Sequence, residues 1–386
     1  MFRLSLSILF SFAVAFQFLL IVGCGGSMTP TAGGGGSSSG GGTSPVIGGS
    51  PSDSSQGCGG AESGYNNQNG SISGIWIQTP APGENPGNVT VNATAYTTAT
   101  ITQWTVCLDG QAVYQANNPA ISISQAITIP TGQHLLWASI SDSAADSDRS
   151  EIRLIQVGPP PASSTVLPTP PANATVLTEM QNVTANWSIC SLCAAGTNDT
   201  SNYTMTFDQS QPSLSGSSLE MYNGGPSWSN VLFKDIIMGT TPNRHFLWDF
   251  WVYHDPSVEA HFWSSELDFY AVLSGNEFMI GSQCDFGDGY WATWDSDGER
   301  WVLNGIACPH WTPGWHHVQW YDELINGTQY RYDTLVFDGT PYGFNQVWNV
   351  NSTTWADQIG LQFQLDEDST GTPLHEWVDN VTLTMW

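Results

Sequence analysis

From residue 73 onward the chain is a succession of short runs in which apolar and polar residues alternate. Beyond residue 174 no helix-length amphipathic stretch interrupts them. Alternation at every second residue marks a strand with one wet and one buried face. Turn residues close the runs: Asp109-Gly110, Asp297-Gly298 and Asp338-Gly339 each sit between two of them, the strongest short-range signal for a hairpin. Charged residues make up only 11% of the 386, while Gly (40) and Trp (18) are abundant. Such a chain lacks the Glu, Lys and Arg that coat helices, so an all-β fold is expected. Seven Lys and Arg stand against 34 Asp and Glu, a net charge of −27, and Lys234 is the one lysine. Neutralising phosphate needs clustered cations, so neither nucleic acid nor an anionic membrane surface is an expected partner.

Residues 1–23 read as an export signal: a weakly positive Met1-Phe2-Arg3 start, then an apolar run from Leu4 to Val22. The run ends in Leu20-Ile21-Val22-Gly23-Cys24, which resembles the lipobox of bacterial lipoproteins. That resemblance implies cleavage before Cys24 and lipid on its thiol and new amino terminus. It also implies a bacterial cell-envelope address, at the outer membrane or cell surface. An uncleaved transmembrane anchor competes, because the run is near bilayer-spanning length. The polar, glycine-rich sequence that follows favours lipidation. Residues 24–72 hold nothing that buries a core and read as a disordered Gly/Ser-rich tether. Export permits disulfides, and six cysteines remain after Cys24. Cys190 is expected to pair with Cys193 and Cys284 with Cys308. Cys58, in the tether, and Cys107, in a strand, are left unassigned, with both thiols free as one reading.

Residues 73–157 carry about seven strand signals at regular spacing, the pattern of an antiparallel sandwich. This part resembles bacterial Ig-like domains, with Trp104 placed like their core tryptophan, and reads as a spacer. Gly158-Pro-Pro-Pro161 and Pro168-Thr-Pro-Pro171 mark a stiff Pro-rich linker over 158–174. Residues 175–386 hold 15 of the 18 Trp and seven of the eight His, and enough strands for a double-sheet jelly roll. The blocks Trp315-His316-His317-Val318, Tyr332-Asp333 with Val336-Phe337-Asp338-Gly339, and Trp377-Val-Asp379-Asn380-Val-Thr-Leu-Thr384 resemble concanavalin A-like lectin/glucanase domains. That family includes lectins, glycoside hydrolases, lyases and adhesive modules, so activity has to be argued from a site.

Each strand sorts its own side chains. Leu267 and Phe269 separate from Glu266, Asp268 and Tyr270. Leu361, Phe363 and Leu365 separate from Gln362 and Gln364, and Val318 and Trp320 from His317, Gln319 and Tyr321. Asp249, Trp251 and Tyr253 share one side. If these polar faces belong to one sheet, rings, acids and amides lie together, a mixture suited to a neutral polyol. Stacking is assigned to Trp251, Tyr253, Tyr270 and Tyr321, and hydrogen bonding to Asp249, Glu266, Asp268, His317, Gln319, Gln362 and Gln364.

Glu266-x-Asp268 bears on catalysis. In retaining glucanases of the resembled family such a pair opens Glu-x-Asp-x-x-Glu, and hydrolysis with retention needs two carboxyl groups about 5 Å apart. The positions expected to hold the second glutamate are Tyr270, Ala271 and Val272, leaving Glu367 or Glu376 as substitutes. The related lectin pattern binds metal through Glu-x-Asp, but its downstream ligand run is missing here. No cofactor is expected, and calcium is the cation such oxygen ligands would take. Asp285, Asp288, Asp295, Asp297 and Glu299 read as a hairpin turn with its flanks, not a calcium loop. His316 and His317 point to opposite faces, and His254 and His261 are expected in an exposed loop. The reading is a lipid-anchored protein that binds polysaccharide without cleaving it. The alternatives are a glycoside hydrolase or lyase with Glu266 as nucleophile, and a structural or adhesive envelope protein.

Overall fold

The computed structural model describes Cys58, the backbone of residues 61–62, and residues 71–117, 119–159, 166–191, 202–298 and 300–386. The export signal, Cys24, most of the tether and Cys193 lie outside the described residues. The described residues are all-β, as expected. Their helical pieces are the three-residue turns Met180–Asn182 and Glu259–His261. None of their helices is long and apolar enough to cross a membrane.

The N-terminal part is a sandwich. Ile72–Thr79, Asn88–Thr97 and Ser122–Thr128 form an antiparallel sheet. Opposite it, Ile101–Leu108 pairs with Gln111–Ala116 and with Gly132–Asp142, which in turn pairs with Ile152–Val157. Ile75, Val91, Trp104, Val106, Leu136 and Ile155 fill the space between. Trp104 is fully enclosed, and its indole N–H donates to Ala120 O at 2.8 Å. At the hairpin, Asp109 (φ 50°) and Gly110 (φ 81°) are both left-handed, the geometry that matches the right-handed twist of strands and that Asp-Gly tolerates. Asp338 (φ 47°) and Gly339 (φ 75°) repeat it in the C-terminal part.

The C-terminal part has two facing sheets. The first runs, in spatial order, Trp187–Cys190, Asn230–Met238, Gln358–Glu367, Phe262–Leu273, Ser282–Asp285, Tyr290–Asp295 and Arg300–Ala307. The second runs Tyr203–Gln209, Ser218–Asn223, Leu374–Met385, His245–His254, Gly314–Asn326, Gln329–Phe337 and Thr340–Asn349. Alternation sends Phe246, Trp248, Phe250 and Val252 of the second sheet inward, onto Leu267, Phe269, Leu361 and Phe363 of the first. Phe246 meets Phe269 at 4.3 Å between ring centroids, and Trp248 and Phe250 meet Phe363 at 5.2 and 5.4 Å, edge to face. Such contacts are favourable beyond the area they bury. Cys284 and Cys308 are bonded, as expected, with Cα atoms 5.7 Å apart.

The two parts are not beads on a linker. Ile152–Val157 pairs in parallel with Arg300–Ala307, Ile152 opposite Val302 and Arg153 opposite Leu303, so one sheet runs through both. The Arg153 guanidinium donates to Pro80 O and Ile77 O at 2.7 and 2.5 Å, and that of Arg300 lies 5.7 Å from the Trp137 ring centre. Cys58, assigned by composition to the tether, is 3% exposed and bonded to Cys107; its carbonyl accepts from Trp137 Nε1 at 2.9 Å. Neither thiol is therefore free. Composition missed this because the glycine-rich sequence around Cys58 has no core-forming pattern of its own.

Gly305 (φ +82°) packs against Gly83 at this junction: a Cβ there would lie 2.5 Å from Gly83 Cα. Backbone and space both demand glycine. Gly305→Ala is expected to cost about 1–3 kcal/mol, read as a lower urea midpoint.

Candidate functional site

The sequence-derived site residues separate onto two sheets. Asp249, Trp251 and Tyr253 lie beside Gln319, His317 and Trp315 on the outer face of the second sheet. Glu266, Asp268 and Tyr270 lie beside Gln364, Gln362 and Gly360 on the first. In both cases the interior faces of these strands meet in the core, so the two polar faces point away from each other. The expectation of one shared surface is corrected: alternation sorts the two sides of a strand but says nothing about which sheet the strand joins.

The face on the second sheet is aromatic and half-buried. Trp251 stacks on His317 at 4.6 Å and 7° between planes. Tyr253 lies edge-on between Trp315 (5.3 Å) and Trp377 (5.6 Å), and His375 stacks on Trp377 at 5.6 Å. Asp249 orders the polar edge: its Oδ1 is 2.8 Å from His317 Nε2, and its Oδ2 accepts from Gln319 Nε2 at 2.7 Å. The carboxylate thus fixes the tilt of the imidazole on which Trp251 rests. Tyr321, on the same strand as His317, is nearly buried; it clusters with His245 and Trp386, themselves stacked at 5.3 Å, and its hydroxyl lies 2.8 Å from His245 Nδ1. It props the edge of the face and does not open onto it. Sequence reasoning missed Trp315, Trp377 and His375. Trp315 was within reach of the alternation, two residues before His317; Trp377 and His375 belong to a strand that only the fold brings alongside.

The face on the first sheet is acidic and enclosed. Glu266 is 5% exposed and Asp268 not at all; Tyr270, Gln362, Gln364 and Gln283 are buried with them. A Cβ placed on Gly281 would lie 3.1 Å from Trp301, 3.0 Å from Trp294 and 3.2 Å from Asp268 Oδ1. The Trp301 indole and the Trp294 Cβ thus crowd the same spot as the Asp268 carboxylate. The accessible trough expected around Glu266 is therefore not what the chain forms, because neighbouring strands bring large side chains over it.

Within that enclosure Gln364 Nε2 donates to Glu266 Oε1 at 2.6 Å and to Asp366 Oδ1 at 2.9 Å. Asn230 Nδ2 and Ser264 Oγ also donate to Asp366. Asp268 Oδ1 accepts from Ser282 N at 3.1 Å, while its Oδ2 has no partner among the described residues. Burial, then the charges of Asp366 and Asp268, push the Glu266 carboxyl well above its usual range. Burial also raises Asp366, to about 6, against the pull of four hydrogen-bonding neighbours. The proton therefore resides on Glu266, which donates to an ionised Asp366. The carboxyl beside Glu266 is thus neither Glu367 nor Glu376. Glu376 lies on the other side of the Phe262–Leu273 strand, between the sheets, 2.9 Å from His254 Nε2 and 3.1 Å from Ser265 Oγ. Asp366 was legible as the next member of the Gln362, Gln364 series.

His254, expected in an exposed loop, ends a strand and is fully buried against Phe262 and Trp311. His316 and His317 do take opposite faces, His316 enclosed 2.7 Å from Asp338. Asp295 accepts from Arg300 at 2.8 Å across the turn, and Asp285 accepts from Asp288 N at 2.9 Å. Among the described residues no group of three or more His, Cys, Asp or Glu side chains is placed to hold a metal ion.

No protein-family model matches the chain, and no curated protein matches it. Among solved structures, the chain is similar to carbohydrate-binding modules of the β-sandwich superfamily over 82% of its length and 98% of theirs, at 10% identity and a TM-score of 0.28. It is similar to arcelin-5, a lectin-like defence protein from Phaseolus vulgaris, over 56% of its length and 99% of that chain, at 10% identity and 0.35. An endo-1,3-β-glucanase from Streptomyces sioyaensis matches over 57% and 99%, at 14% and 0.34. At such identities activity has to be argued from this chain's own side chains.

The buried acids make stability depend on pH. A carboxyl whose folded pKa is raised contributes stability that is complete below its unfolded pKa and is lost as pH rises through the folded value. For Asp366 that window runs from 3.8 to about 6. Asp235 and Glu367, each raised to about 7 mainly by burial, extend it upward. Glu266→Gln replaces the protonated acid with an amide that still donates to Asp366. Thermal melts are expected to show little change at pH 4 and a higher Tm than wild type at pH 8.

Proposed function

We propose that the chain is an exported, lipid-anchored protein that binds a neutral polysaccharide through the aromatic face of its second sheet. The observation that carries this reading is the row of half-buried rings, Trp251, Tyr253 and Trp315, edged by the Asp249–His317–Gln319 group. Rings offer apolar surface to the C–H patches of a sugar, while a carboxylate and an amide serve adjacent hydroxyls. A net charge of −27 favours neutral over acidic chains. In this reading Cys24 carries the lipid, and the N-terminal sandwich is an Ig-like presenter held rigidly against the lectin-like part. No cofactor is needed, since stacking and hydrogen bonds suffice.

Affinity electrophoresis of the full chain in gels of neutral glycans tests it. At least one glycan is expected to retard the protein. Trp251→Ala, Tyr253→Ala and Trp315→Ala should each weaken retardation about tenfold, with Glu266→Gln unchanged. Migration unaffected by every glycan discards the reading.

One observation favours a second reading, a hydrolase: Glu266 and Asp366 are gathered about one amide, Gln364 Nε2, although retention needs the two carboxyls about 5 Å apart. It would need the enclosed face to open. Reducing ends released from β-glucans, and lost in both Glu266→Gln and Asp366→Asn, would support it; equal release by wild type and both variants would remove it.

A further inference from the structure

The three-stranded sheet of the N-terminal sandwich has an outer side that differs from the rest of the chain. Ile72–Thr79, Asn88–Thr97 and Ser122–Thr128 send Ile75, Val91 and Ile123 into the core. Alternation turns the residues between them outward, where they are exposed or half-exposed. Two large rings stand on that side: Trp76 is 37% exposed and Tyr96 60%. Their positions are in line. Tyr96 pairs with Gly74 across the strands, and Trp76 with Thr94. Gly74 has no side chain to hold Tyr96 off: a Cβ there would lie 3.9 Å from Tyr96 Cδ2, so the ring lies beside the strand that carries Trp76. From Gly74 to Trp76 is two residues, about 7 Å at the rise of an antiparallel strand. Two apolar surfaces thus follow one another along Ile72–Thr79.

The groups around the rings are polar and uncharged. The three strands hold no Asp, Glu, Lys, Arg or His, although the chain has 34 Asp and Glu. Ser122 stands opposite Thr94, their hydroxyl oxygens 3.1 Å apart, and Asn92 Nδ2 donates to Thr79 Oγ1 at 2.8 Å. Hydroxyls and amides both donate and accept, so each can serve a ligand hydroxyl besides its neighbour. Single exposed rings are ordinary, whereas adjacent ones rimmed by polar groups mark a binding surface.

Charge selects the occupant. The face offers no ion pair to a phosphate, an anionic lipid or a charged protein rim. A second copy carries the same net charge of −27 and is repelled. An extended neutral polysaccharide presents C–H patches along its length and hydroxyls at its edges, the complement of rings in line with amides and hydroxyls beside them. We propose that this face binds such a chain along Ile72–Thr79, its sugar rings on Tyr96 and Trp76 and its hydroxyls toward Thr94 and Asn92. The N-terminal sandwich is then a second binding part and not a presenter alone. The proposal takes its ligand class from the polysaccharide reading above but uses none of the residues of the aromatic face.

Affinity electrophoresis of the full chain in neutral-glycan gels tests it with four proteins side by side: wild type, Trp76→Thr/Tyr96→Thr, Trp251→Ala/Trp315→Ala, and the variant carrying all four substitutions. Threonine suits an exposed strand position, so the N-terminal pair is expected to keep the wild-type Tm. In at least one gel that pair should weaken retardation about tenfold. The second-sheet pair should retain some retardation, and the four substitutions together should abolish it. If the N-terminal pair lowers the Tm, Tyr96→Thr alone replaces it, with a loss of about threefold or more. The proposal is overturned if the N-terminal pair migrates like wild type in every gel, or if the fourfold variant is no weaker than the second-sheet pair. It is also overturned if sedimentation shows a dimer that the N-terminal pair disperses, since the face then belongs to a second copy. Failure of the aromatic face has a different signature: the second-sheet pair is retarded like wild type while the N-terminal pair loses retardation.

Discussion

The parallel pairing of Ile152–Val157 with Arg300–Ala307 is the contact on which the shape of the molecule depends. Few residues make it, but they convert two sandwiches into one continuous sheet and bring Gly83 against Gly305. Buried cations reinforce the join. Burial lowers Arg153 and Arg300 from their usual range, and each is held by specific partners: backbone carbonyls for Arg153, Asp295 and the Trp137 ring for Arg300. In a chain with seven Lys and Arg, placing two of them at one internal boundary implies that the boundary is built, not incidental.

Much of this fold was legible because strand alternation is a local property. Leu361, Phe363 and Leu365 are in the core and Gln362 and Gln364 opposite them, as the pattern required. The Asp-Gly pairs at 109–110 and 338–339 adopt the left-handed turns their chemistry favours. Sheet membership was not legible, because pairing is decided by residues far apart in the chain, Trp251 with His317 and Glu266 with Gln364. Glu266 and Trp251 carry the same alternation signal, yet one is enclosed and the other lies on a half-open face. Cys58 illustrates the same limit: its partner is 49 residues away, and no local pattern announces it.

The two polar faces answer different physical demands. On the enclosed one, carboxyl groups share a proton and a single amide, which suits a low-dielectric interior where only one charge is tolerated. On the open one, Asp249 sits at the edge of the rings, and its two oxygens hold His317 and Gln319. The aromatic load of the chain divides accordingly. Trp248, Trp291 and Trp348 knit the interior, and Trp251 and Trp315 remain half-accessible.

The Cys58–Cys107 bond has a mechanical meaning. Tension entering the protein from the chain ahead of Cys58 crosses that covalent bridge directly to Cys107, in the strand beside Gly132–Asp142. The strands between the two cysteines are bypassed, so a pull at the amino-terminal end cannot peel them away one at a time.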